Sequence, residues 1–146
     1  MLCCSFVQNP RPALAGLRSL IDVLPISVAP TALLSHLLLG RFSSRALRTL
    51  LSQALAQVSP SALRARLKAV LDVDVSARLA AVRVPVLYLR ASSDRLVPAN
   101  ASARVARICA NTKVVEIEAP HFLLQVAPAT AAVAVTAFVR GLHDGN

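Results

Sequence analysis

Apolar residues fall into two regimes along this chain. From Ala13 to Val82 they recur at helical spacing, and from Val84 onward short β-rich runs alternate with helical ones. Leu2 to Val7 reads as the end of a buried strand, broken by Asn9-Pro10-Arg11-Pro12. Leu14, Leu17, Leu20-Ile21 and Leu24 predict a helix from Ala13 to about Leu24, with Pro25 and Pro30 as breaks. Thr31 is placed to cap a helix running to Leu39 and closed by Gly40. Phe42 to Gln57 gives the next helix, capped by Ser43 or Ser44, with Leu47, Leu50-Leu51, Ala54-Leu55 and Val58 on its apolar face. Ser59-Pro60 is an N-cap followed by proline at the first helical position. The helix it opens carries Leu63, Leu67 and Val70-Leu71 inward and Arg64, Arg66 and Lys68 mostly outward, and ends at Asp72-Val73-Asp74-Val75. Ser76 starts a short helix through Leu79 to Val82.

The second regime begins with Val84-Pro85-Val86-Leu87-Tyr88-Leu89, a run suited to a strand buried on both faces. Asn100 to Ala110 predicts a helix, Thr112 to Ile117 a strand, and Ala127 to Leu142 a long helix led in by Pro128, with His143 to Asn146 as a fraying tail. Strand, helix, strand and helix in this order can form a right-handed parallel βαβ unit. Three regions follow: residues 1–12, the end of a core strand and its exit loop; residues 13–82, a helical region; and residues 83–146, a C-terminal α/β unit.

Composition adds bounds. The 146 residues suit one domain and are 55% hydrophobic but only 3% aromatic, so the core must be aliphatic. The net charge of +9 could attract nucleic acid or an anionic membrane. The arginines are instead spread from Arg11 to Arg140, and no nucleic-acid module is present, so neither partner is expected. Cys3, Cys4 and Cys109 form no C-x-x-C pair and no metal-ligand spacing, so no metal or cofactor is expected, and Cys3-Cys4 reads as small hydrophobes. The start lacks a basic n-region and a long apolar h-region, and no run approaches the roughly 20 apolar residues of a membrane span. A soluble cytoplasmic protein is the expectation.

The tail carries the most specific pattern. A hydrophobic strand leads to Ser92-Ser93-Asp94-Arg95-Leu96-Val97-Pro98; a helix and a second strand follow, then Ala119-Pro120-His121-Phe122-Leu123-Leu124, with His121 27 positions after Asp94. This resembles the final part of an α/β-hydrolase, and within that superfamily the small carboxylesterases that cleave pimeloyl esters. The resemblance implies an incomplete α/β-hydrolase fold: a helical cap over residues 13–82, followed by the last parallel strands and helices of the sheet. It also implies a Ser-His-Asp mechanism, with chain order nucleophile, acid, histidine. Asp94 would be the acid that orients the imidazole, and His121 the general base that takes a proton from the nucleophile. A small-molecule ester would be the substrate of the parent enzyme. Ser92-Ser93 and Ala119 stand where the family usually has glycine, a residue that permits positive φ.

Each candidate also has a plainer role. Asp94 suits a turn or a helix cap, and His121 a loop. Asp72 and Asp74 are runner-up acids at a helix end, His36 suits an amphipathic face, and His143 lies in the tail. Ser5 follows a strand but lacks flanking glycines, and no G-x-S-x-G occurs anywhere in the sequence. Little or no turnover is therefore expected of this chain alone. Two rivals stay open: a non-catalytic interaction protein that self-associates through an exposed sheet edge, and a reading frame that begins upstream of Met1.

Overall fold

Three parallel strands, β1 (Leu2–Cys3), β2 (Val86–Ala91) and β3 (Thr112–Ile117), lie side by side in that order in a computed structural model that describes residues 1–23 and 31–143. Leu2 pairs with Tyr88 and Cys3 with Leu89, while Val86 to Ala91 run in register with Thr112 to Ile117. Seven α-helices are described: α1 (Thr31–Leu38), α2 (Arg45–Ala56), α3 (Pro60–Asp72), α4 (Ser76–Ala80), α5 (Ala99–Ile108), α6 (Leu123–Val126) and α7 (Pro128–His143).

β2 is central because it is apolar on both faces. Leu87, Leu89 and Ala91 pack with Ile117, Leu123 and Ala131 on the α7 side. Tyr88 points the other way, to Val7 and Val105, with Leu79 and Ile108 closing that layer. The alternation of side chains along a strand assigns the two layers. β3 is an edge strand: Lys113, Val114 and Glu116 face solvent, and Glu116 pairs with Arg90 across the ladder.

The helical region follows its capping signals. Of the two serines before α2, Ser44 is the cap: its side chain accepts from the Leu47 amide at 3.2 Å. Ser59 does the same for Ala62, with Pro60 opening α3. Gly40 closes the α1 segment at φ 52°, where glycine is free of the Cβ penalty.

Three expectations need correction. Residues 13–24 were expected to be α-helical, but Pro12–Asp22 forms a 3-10 helix. Leu14, Leu17 and Leu20 recur every third residue, and three residues per turn align them on one edge. Arg18–Asp72 and Lys68–Asp22 ion pairs fasten this helix along α3. The first strand stops at Cys3 rather than reaching Val7, because Cys4 turns the backbone at φ 44°. β2 begins at Val86, two residues later than Val84: Pro85 has no amide to donate, and the Val86 amide is the first to bond across, to Asn111 O. The helix end expected near Leu24, the breaks at Pro25 and Pro30, the cap role of the Thr31 side chain and the tail at 144–146 lie outside the described residues.

Candidate active site

The loops that leave β2 and β3 are laced together by backbone bonds. The Ser92 amide donates to Ile117 O and the Ser93 amide to Ala119 O, both at 3.0 Å. These bonds bring the residue after the first loop beside the residue after the second. His121 Nδ1 lies 2.9 Å from Asp94 Oδ2. Ser92, Ser93 and Ala119 all do this without positive φ; Cys4 is the sole non-glycine with positive φ among the described residues. The pair therefore forms without glycine at these places.

Asp94 also behaves as a turn residue. Its Oδ1 accepts from the amides of Leu96 at 2.8 Å and Val97 at 2.9 Å, which is how a buried carboxylate fixes the loop after its own strand. Its side chain is only 4% exposed, against 26% for His121. Burial pushes the Asp94 carboxyl up, but the bond from His121, the Val97 and Leu96 amides and the imidazole charge together hold it below its usual value. Asp94 is thus ionised at neutral pH and can only accept. His121 Nδ1 must then be the donor, and when the ring is neutral this leaves Nε2 with the free electron pair. That is the tautomer a general base needs.

His121 lines an apolar trough of about 410 Å³ together with Phe6, Leu14, Leu17, Leu71 and Val97. The trough runs between the 3-10 helix, α3 and the exits of β1 and β2. Leu14, Leu17 and Leu20 along the 3-10 helix are 46–47% exposed, unusually open for leucines in a row.

Other candidates separate from this pair. Asp72 is engaged by Arg18, and Asp74 by Gln8 and the Ser76 amide, so both are structural. His143 bonds to Val139 O on its own helix. Ser5 contributes its backbone, exchanging bonds with the Tyr88 hydroxyl. His36 is more than a face residue: its Nε2 accepts from the Arg95 guanidinium, one residue past Asp94. With Phe122 N bonded to Leu38 O and Arg41 paired with Glu118, this contact seats the helical region on both loops.

Besides this contact of His36, sequence reasoning missed two residues. Arg11 donates to Arg95 O at 2.5 Å and Leu96 O at 3.4 Å, clamping the acid loop from the far end of the chain. Cys4 reaches the pair itself: donor atoms of Cys4, Asp94 and His121 all lie within 4.8 Å of one another. Burial, chiefly, pushes the Cys4 thiol far above its ordinary value, so it is protonated rather than a poised nucleophile. No local signal at either position announces these contacts, which form only on folding.

No helix among the described residues is long and apolar enough to cross a membrane. No protein-family model matches the sequence, and no curated protein matches it. Solved structures do. A hydrolase from Pseudomonas aeruginosa is 18% identical, with a TM-score of 0.77 over 94% of this chain and 54% of that one. A thermophilic esterase from Thermogutta terrifontis is 19% identical, with a TM-score of 0.78 over 97% and 55%. An enol-lactonase from Burkholderia xenovorans is 16% identical, with a TM-score of 0.64 over 93% and 53%. The chain therefore has the α/β-hydrolase fold in incomplete form, spanning about half the length of the structures it matches.

Proposed function

We propose that this chain is the acid-and-histidine part of a carboxylic ester hydrolase that works through a Ser-His-Asp mechanism. The observation that carries the reading is the Asp94–His121 bond, made by two side chains that follow adjacent parallel strands. Asp94 holds His121 in one tautomer and stabilises the imidazolium that forms when Nε2 takes a proton. The serine and the oxyanion donors come from polypeptide outside these 146 residues. Residues 13–82 act as the cap, and the trough beside His121 receives the apolar acyl part of the ester.

The chain alone then hydrolyses little, because nucleophile and oxyanion stabilisation supply the largest catalytic terms. The test is hydrolysis of a short p-nitrophenyl ester by purified chain, beside His121→Ala. Equal background rates are expected. A clear rate that falls on His121→Ala would show that the chain carries its own nucleophile and would overturn the division of labour proposed.

A second reading is a non-catalytic interaction protein. The exposed Leu14, Leu17 and Leu20 and the position of β1 at the sheet edge favour it. Sedimentation at increasing concentration separates the two: a monomer throughout supports the hydrolase part, and reversible self-association supports the rival.

A further inference from the structure

Three side chains with metal-binding donors converge beyond the C-terminal end of the sheet, each from a different strand exit. Cys4 follows β1, Asp94 follows β2 and His121 follows β3. One donor atom of each lies within 4.8 Å of the other two. The backbone at Cys4 accounts for its part. Successive strand residues point to opposite faces, but the turn at φ 44° breaks that alternation and leaves Cys4 Sγ 4.0 Å from Cys3 Sγ and next to the Asp94–His121 pair.

We propose that Cys4, Asp94 and His121 form a binding site for a thiophilic divalent cation of the Zn²⁺ type. A sulfur, a nitrogen and a carboxylate oxygen make a donor set that zinc accepts, at about 2.3, 2.0 and 2.1 Å respectively. Tetrahedral geometry with those lengths puts donors about 3.4–3.6 Å apart, so the cluster, within 4.8 Å, has to close by up to about 1 Å, while His121 Nδ1 and Asp94 Oδ2, now 2.9 Å apart, have to part by about 0.5 Å. The thiol selects against Mg²⁺ and Ca²⁺, which take oxygen ligands. Charge also fits: one thiolate and one carboxylate neutralise a dication in a site that is largely shielded from water.

Binding is a simple exchange. The Cys4 S–H bond breaks, its proton goes to solvent and the sulfur electron pair forms the bond to the cation; His121 binds as neutral imidazole, and where Nδ1 is the ligand its proton moves to Nε2 and the hydrogen bond to Asp94 is given up. Asp94 is already ionised, and the fourth position is left to water. Asp94 and His121 cannot serve the cation and act as an acid–base pair at once, so occupancy would switch the pair off. Positions 4, 94 and 121 carry no metal-ligand spacing, which is why the sequence predicts no metal: the ligands meet only across the sheet.

The test uses the untagged, metal-stripped full chain under a phosphine reductant, titrated with Co²⁺ as a spectroscopic substitute for Zn²⁺. The expected result is one equivalent bound, with a thiolate-to-cobalt charge-transfer band and tetrahedral visible bands that Zn²⁺ abolishes. Cys4→Ser should remove the charge-transfer band, Cys3→Ser should keep it, and His121→Gln should weaken binding about tenfold or more. Circular dichroism checks that each variant folds, with Cys4→Ala as a second form of the first. Absence of the band in the unmodified chain overturns the proposal whatever the variants do. So does a band that survives loss of Cys4. None of these readouts involves ester hydrolysis, so they stand or fall apart from the proposed activity.

Discussion

Replacing Asp94 with alanine removes a nearly buried carboxylate that accepts from three donors: the Leu96 amide at 2.8 Å, the Val97 amide at 2.9 Å and His121 Nδ1 at 2.9 Å. A hydrogen bond to a charged group contributes about 1.5–3 kcal/mol, and a buried donor left without a partner costs about 1–3 kcal/mol. These are two views of one loss and do not add. With His121 partly open to water, the two amides set the scale, and the expected cost is about 3 kcal/mol at neutral pH. A domain of this kind holds roughly 5–15 kcal/mol, so the variant should fold but be visibly weaker. With a urea slope of about 1–3 kcal/mol per molar, the unfolding midpoint should drop by about 1–3 M. Far-UV circular dichroism is the suitable probe, because the chain has no tryptophan and a single tyrosine. The sign of the pH dependence follows from the carboxyl. Its folded-state pKa is depressed, so its contribution is complete above the unfolded value of about 3.9 and is lost as pH falls through the lower folded value. The gap between wild type and Asp94→Ala should therefore narrow below about pH 4. Asp94→Asn keeps an oxygen for the two amides and should lose about half as much. Equal midpoints at neutral pH, or a gap that widens on acidification, would refute this account of the acid loop.

Leu89→Ala empties a fully buried position in β2 and should cost about 2–5 kcal/mol by the same unfolding assay, enough to threaten folding at 37 °C. Gly40→Ala should cost about 1–2 kcal/mol for conformational reasons alone, since an added Cβ would meet Arg95 Nε at 3.7 Å, an ordinary contact; a cost near zero would mean that φ is not positive there. Ser44→Ala and Ser59→Ala should each lose about 1 kcal/mol of stability, seen as a lower thermal midpoint, because each removes the acceptor for a first-turn amide.

The C-terminal half was legible because its signals are local and mutually consistent. A strand apolar on both faces, a small polar loop and a second β-branched run fix β2, β3 and their exits to within two residues. The Asp94–His121 bond follows from that topology once the strands are parallel neighbours. The helical region was legible at Ser59 and, to within the choice between Ser43 and Ser44, at the start of α2, because the cap lies in adjacent residues. The 3-10 helix was not, because leucines at every third position serve a period of 3.0 as well as one of 3.6 over two turns. Cys4, Arg11 and His36 were missed for a different reason. Each meets the acid or histidine loop across 59 to 117 positions of sequence, as 36 to 95 and 4 to 121 show, and nothing in the neighbouring residues encodes the partner. Cys4 in particular reaches the site through a positive φ, which no glycine signals.

The measurement that bears most directly on the central claim is to sequence the DNA upstream of the Met1 codon and read it in frame. The account predicts an open frame that encodes G-x-S-x-G shortly before Met1, the nucleophile for which Asp94 and His121 are the acid and base. An in-frame stop codon directly upstream, with no such motif, would contradict it and leave the non-catalytic reading in its place.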